Sequence, residues 1–169
     1  MAVISVIPVI MKIQRILIAV DDSQYAQHAA EYGFGLAHLC NADVGLVNIV
    51  EPMVVPAPGP DIIPGAMLDP DVVSDRELMN VQKEASENTI ERMVRQFAAD
   101  VKVTRFSEFG STADGILECS AQFGADLIVI GTHNRTGLDR LIMGSVAEHV
   151  VRHSHVPVLV IPFKEETES

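Results

Sequence analysis

Ile16-Leu17-Ile18-Ala19-Val20-Asp21-Asp22-Ser23 is a run of five apolar residues stopped by three turn formers. The run reaches back to Ile13, interrupted only by Gln14 and Arg15. A short apolar stretch closed in this way reads as a strand buried on both faces. Directly after it, Ala26, Ala29, Ala30, Phe34 and Ala37 recur at helical spacing as far as Leu39, with Ser23 or Asp22 as the N-cap. Strand followed by helix is the unit from which the rest of the chain is built.

Asp43 to Val50 and Asp126 to Ile130 are further aliphatic strands, the second ending at Gly131. Lys102 to Glu108 alternates apolar and polar residues, and Val156 to Ile161 is a last strand closed by Pro162. A helix is expected from about Ser74 to Ala98, with Leu78, Val81, Ala85, Met93, Val94 and Phe97 on its inner side. Another runs from a cap at Ser111 or Thr112 to Phe123, and a last one from Ser145 to His153. This alternation predicts an α/β fold: a single open, parallel, five-stranded sheet with helices on both faces. Ligands in such folds sit beyond the carboxyl ends of the strands. The places to inspect are therefore Asp21-Asp22-Ser23, Ile49 to Glu51, Ser107 to Gly110, and Gly131 onward.

Glu51 to Val73 holds six of the nine prolines and two glycines, which marks a long surface loop. A domain cut there would leave only two strands behind, so the expected organisation is one domain over 13–163 that includes the 51–73 loop. Residues 1–12 are expected to be an N-terminal extension and residues 164–169 an acidic tail. Met1 to Met11 carries no charge and is too short for a bilayer, which takes about 20 apolar residues. It lacks the basic start and the small-residue cleavage site of a secretory signal. A cytoplasmic protein is expected.

The formal net charge is −11, from 23 acidic and 12 basic side chains, and the basic ones are scattered. That balance repels a phosphate backbone and argues against nucleic acid as a partner. Cys40 and Cys119 stand singly, outside any CxxC pair, and read as free thiols in a reducing compartment. No partner base near Cys119 marks it as a nucleophile.

The segment richest in chemistry is Gly131-Thr-His-Asn134-Arg-Thr-Gly137-Leu-Asp-Arg-Leu-Ile-Met-Gly144-Ser145. A strand ends in glycine, a polar loop follows, and glycine and serine open a helix. Glycine admits close approach of backbone N–H groups to an anion, and a helix start supplies unpaired N–H groups and partial positive charge. The combination is a phosphate cradle at the ligand end of the sheet. It is no P-loop, because the lysine is missing. Nor is it the dinucleotide fingerprint, which follows a first strand rather than a late one. On the residues alone, an ordinary loop with turn glycines stays open beside the anion site.

The spacing of Gly131, Asn134, Gly144 and Ser145 resembles the ATP-binding signature of the universal stress proteins. Val146 to Pro162 looks like that family's last helix and strand, and Ile16 to Ser23 resembles its first strand and acidic turn. The resemblance spans about Ile13 to Phe163. It implies a Rossmann-like fold of the adenine nucleotide alpha hydrolase-like kind and a role in the stress response. It also implies a homodimer formed through the C-terminal strand. The ligand it implies is ATP, with ADP and AMP as alternatives and Mg as an accompanying ion. By position, Asp21 and the backbone at Ile49 would meet adenine and ribose, while Gly131, Asn134, Gly144 and Ser145 would hold the phosphates. Asn134 departs from the signature, which has glycine there; asparagine is among the residues that best tolerate positive φ.

Other readings compete. Asp21-Asp22 invites a receiver-like phospho-acceptor, but no third aspartate ends a middle strand, and the late lysine, Lys164, stands beyond Pro162. His149 and His153 have the spacing of a zinc clamp, but solvated helix-end residues are the preferred reading, so no metal ligand is assigned. His133 lies in the cradle without a second catalytic partner. An ATP-hydrolysing enzyme would want a water-positioning residue, a Walker lysine or paired metal carboxylates at the phosphate end. None is recognisable, so no catalytic residue is assigned. A nucleotide-dependent switch or sensor without efficient catalysis is favoured over slow hydrolysis.

Overall fold

A computed structural model of the chain describes residues 12–52, 75–132 and 143–162. Its elements are β1 (Arg15–Ala19), α1 (Gln24–Cys40), β2 (Asp43–Val50), α2 (Asp75–Phe97), β3 (Val103–Phe109), α3 (Thr112–Phe123), β4 (Leu127–Gly131), α4 (Ser145–His153) and β5 (Val158–Ile161). Each expected strand and helix is present, with ends that differ by one or two residues. Asn134, His133, nearly all of the 51–73 loop, residues 1–11 and the acidic tail lie outside the described residues.

The sheet has five strands in the order β3-β2-β1-β4-β5, all paired in parallel. Alternation along β1 explains the two layers. Ile16 and Ile18 face the core beneath α1 and α2, while Leu17 and Ala19 face the core beneath α3 and α4. Burial of each such aliphatic side chain contributes about 1.5–3 kcal/mol, which is why the strand tolerates no polar residue between Ile16 and Val20. Phe34 of α1 stacks on Phe97 of α2 at 6.2 Å, joining the two helices of one face. Asn41 and Gly124 end α1 and α3 in the left-handed conformation, where asparagine and glycine carry the least strain.

Two expectations need correction. Val81 is 62% exposed and Ala85 is exposed. The inner face of α2 instead runs through Ser86, Thr89, Ile90 and Met93. Ser86 is tolerated there because its hydroxyl meets that of Ser107 on β3 at 2.7 Å. The last strand starts at Val158 rather than Val156, because Ser154 Oγ accepts the Val156 N–H and donates to the Val156 carbonyl, holding a turn.

Strand order decides where a ligand can enter. From β1 the chain moves outward to β2 and β3, then returns to the other side of β1 for β4 and β5. The order reverses between β1 and β4, and the helices that follow them, α1 and α4, lie on opposite faces. At the other end of the sheet the same two strands are tied shut. Asp126 Oδ2 accepts the N–H groups of Gln14 and Arg15 at 2.8 and 2.9 Å.

Candidate functional site

At the carboxyl rim of β1, β2 and β4 lies a cavity of about 530 Å³. Asp21, Ile49, Gly131, Gly144 and Ser145, all singled out in the sequence, line it together. The sequence reading missed Asn48, Thr112 and Ile116, which line it as well. Ser107 and Glu108, near the end of β3, are not among its lining residues.

Among the described residues three helices start at this cavity, and their first turns differ. At α1, Asp21 Oδ1 accepts the Ser23 N–H at 2.8 Å and Ser23 Oγ accepts the Ala26 N–H at 3.2 Å. Ser23, rather than Asp22, is the N-cap. At α3 the N-cap Ser111 makes no side-chain cap bond. Its place is taken by Glu51 Oε1, which accepts the Thr112 hydroxyl at 2.7 Å and lies 3.4 Å from the Thr112 N–H. A carboxylate thus already stands against the positive end of both helices. The N-cap of α4 is Gly144, which has no side chain to give. The one acidic residue in its first turn, Glu148, pairs with Arg152 at 2.8 Å.

Asn48 fixes the rim between β1 and β2. Its Nδ2 donates to the Val20 carbonyl at 2.7 Å, just past the point where the Val20 N–H donates to the Val47 carbonyl at 2.9 Å. Gly131 has a structural reason to be glycine. A Cβ there would stand 2.7 Å from the Tyr25 carbonyl oxygen and 3.5 Å from the Ala29 Cβ. The glycine lets the end of β4 press against the first turns of α1. Gly144, with φ −60 and ψ 153, has a backbone that any residue can adopt.

The remaining candidates lie apart from the cavity. Cys119 is buried in the core between the sheet and α3. Burial, with Glu108 and Glu118 adding to it, pushes its thiol up to about 11. It is therefore protonated at neutral pH, the opposite of an activated nucleophile. His149 Nε2 lies 3.2 Å from Asp114 Oδ1, a carboxylate supplied by α3 that the sequence did not place beside it. The His149 and His153 rings stack at 4.1 Å, and His153 Nδ1 donates to the His149 carbonyl. Among the described residues no group of three or more His, Cys, Asp or Glu side chains could hold a metal ion. No described helix is long and apolar enough to cross a membrane.

A parallel α/β sheet with a cavity at the strand-order reversal is the class of fold that these elements define, and comparison with known proteins narrows it. The family model described as "Universal stress protein family" matches residues 12–162. The curated "Universal stress protein MJ0531" of Methanocaldococcus jannaschii is 31% identical over 157 residues, covering 90% of this chain and 85% of that one. The chain belongs to the universal stress protein family. Its fold matches that of the universal stress protein UspA from Lactobacillus plantarum, with a TM-score of 0.70 and 23% identity over 89% of this chain and 99% of that one. It also matches the universal stress protein from Archaeoglobus fulgidus in complex with dAMP, with a TM-score of 0.54 and 20% identity over 89% and 98% of the two chains.

Proposed function

We propose that this chain binds ATP in the cavity and works as a nucleotide-dependent switch or sensor in the stress response, in the cytoplasm and without efficient catalysis. The observation that carries this reading is the unequal dressing of the three helix starts. Those of α1 and α3 have carboxylates against them, from Asp21 and Glu51. That of α4 opens on Gly144 and Ser145, and no side chain among the described residues caps it. An anion is favoured at α4, and hydrogen-bond donors are favoured near Asp21. A nucleoside polyphosphate has that polarity: phosphates at one end, an amino group and ribose hydroxyls at the other.

The apolar floor between the two ends, from Ile49 and Ile116, suits the face of a purine. The volume lies within the roughly 300–1,000 Å³ typical of small-molecule sites. The Archaeoglobus fulgidus protein of this fold, solved with dAMP, supports an adenine nucleotide as the ligand class. Phosphates would sit over Gly131, Gly144 and Ser145, with Asn134 in the same loop. Mg²⁺ enters as the counter-ion of the triphosphate, since it keeps several waters and is usually held through substrate phosphates.

The edge of the sheet supports an assembly. Among the described residues β5 pairs only with β4, and Leu159 is 37% exposed. An apolar edge strand invites pairing, and a second copy of this chain covering β5 gives a homodimer. Denaturing the purified protein and identifying the released nucleotide by chromatography tests the ligand. ATP, ADP or AMP is expected. Protein that releases none of them, and shows no heat of binding with added ATP, would contradict the assignment. A phosphate-release assay is expected to show turnover far below ordinary ATPase rates.

A further inference from the structure

Gly115 stands in the first turns of α3, its N–H bonded to the Ser111 carbonyl at 2.9 Å in ordinary helical fashion. Glycine is a poor helix former, and nothing in that backbone requires it. Its surroundings supply the reason. A Cβ on Gly115 would lie 2.6 Å from Ile49 Cδ1, 3.0 Å from Cγ1 and 3.3 Å from Cγ2. The missing side chain leaves a seat in α3, and the tip of Ile49 occupies it. Ile49 is half-buried near the end of β2 and lines the cavity. Ile116, the next residue of α3, is 2% exposed and lines it too.

We infer that Gly115 sets the depth of the apolar floor of the cavity, by keeping the Ile49 side chain parked against α3 and out of the space a base would fill. This rests on the nucleotide reading above. Rotation about χ2 moves only Cδ1; a β-branched side chain is stiff at χ1, so Cγ1 and Cγ2, 3.0 and 3.3 Å from a methyl group added at position 115, must give as well. The displaced tip moves toward the open cavity, because β2 lies behind it and α3 closes the other side. Gly115 is then a positioning residue that acts through Ile49 and touches no ligand itself. The same void-filling device occurs at Gly33, where a Cβ would lie 2.5 Å from Ile18 Cδ1, but there the surroundings are closed core.

The test uses full-length protein and ATP as the probe. Gly115→Ala is expected to weaken ATP binding about tenfold, the scale of a modest overpacking penalty, with circular dichroism unchanged. Ile49→Val removes Cδ1, the atom nearest the added methyl. The double variant Gly115→Ala/Ile49→Val is expected to bind ATP more tightly than Gly115→Ala, though short of the parent because Ile49 also lines the site. Affinity in Gly115→Ala equal to the parent's, or a double variant as weak as the single, would overturn the inference. A ligand-free measurement separates this failure from that of the nucleotide reading. A nuclear Overhauser contact between the Ile49 δ-methyl and the Gly115 α-protons is expected in the apo protein. Its absence overturns the seat itself. If the contact is present and the parent binds no ATP, the nucleotide reading fails, and the role of Gly115 in ligand fit fails with it.

Discussion

The starts of α1 and α4 line one cavity with nearly one backbone: φ −79 and ψ 157 at Ser23, φ −60 and ψ 153 at Gly144. The first start satisfies itself. Ser23 caps it, and Asp21 supplies both an acceptor and a negative charge. The second opens on Gly144, which has no side chain to cap it, and Gly144, Ser145 and Val146 line the cavity. Equal geometry with unequal side chains separates a helix start that serves folding from one that serves a ligand. A glycine N-cap leaves only a few tenths of a kcal/mol of capping unrealised beside a good cap.

The sharpest way to break the contrast is to dress α4 as α1 is dressed. Gly144→Asp gives α4 its own carboxylate where the phosphates are expected. Apo stability in a denaturant titration should hold or rise by a few tenths of a kcal/mol. ATP affinity by calorimetry should fall by on the order of a hundredfold or more, since like charges in one site cost several kcal/mol. Ser145→Ala leaves the glycine and removes one hydroxyl donor. Losing one hydrogen bond to a charged group costs about 1.5–3 kcal/mol, so a loss of roughly ten- to a hundredfold should appear in the same titration.

Gly131→Ala probes the other glycine, whose reason is steric. Its Cβ would meet the Tyr25 carbonyl oxygen, which belongs to the α1 backbone and cannot swing aside as a side chain can. A loss of about 1–3 kcal/mol in unfolding free energy is expected, and it should appear with or without ATP. Ser23→Ala undresses α1. It should cost about 1 kcal/mol of stability in the same denaturant assay, with a smaller effect on affinity than Ser145→Ala. A larger loss of ATP at Ser23 than at Ser145 would mean that the two helix starts have been assigned the wrong way round.

Most of the fold was legible in the sequence because buried parallel strands are written as aliphatic runs. Ile16 to Val20 and Leu127 to Ile130 need only hydrophobicity and a stop signal to be seen. The inner face of α2 was not legible in that way. Ser86 and Thr89 are buried there, and Ser86 has its partner on β3, so a hydrophobic count chose Val81 and Ala85, which lie outside. The site divides along the same line. Chain order marks the regions of Asp21, Gly131, Gly144 and Ser145 as strand ends and helix starts on the ligand side of such a sheet, and the family resemblance singles out these residues within them. Asn48 holding Val20, Glu51 reaching Thr112 and Gly115 seating Ile49 depend on residues brought together only by folding. Their pairing leaves no local pattern to read.

The claim that the phosphates meet the bare start of α4 can be read directly from backbone amide shifts. Isotope-labelled protein would be titrated in turn with ATP and with adenosine, following Asp21, Ile49, Ser145 and Val146 by two-dimensional NMR. The predicted result is that Asp21 and Ile49 shift with both ligands, while Ser145 and Val146 shift strongly with ATP alone. Amides of α4 that stay still under saturating ATP, or that move as far with adenosine, would contradict it.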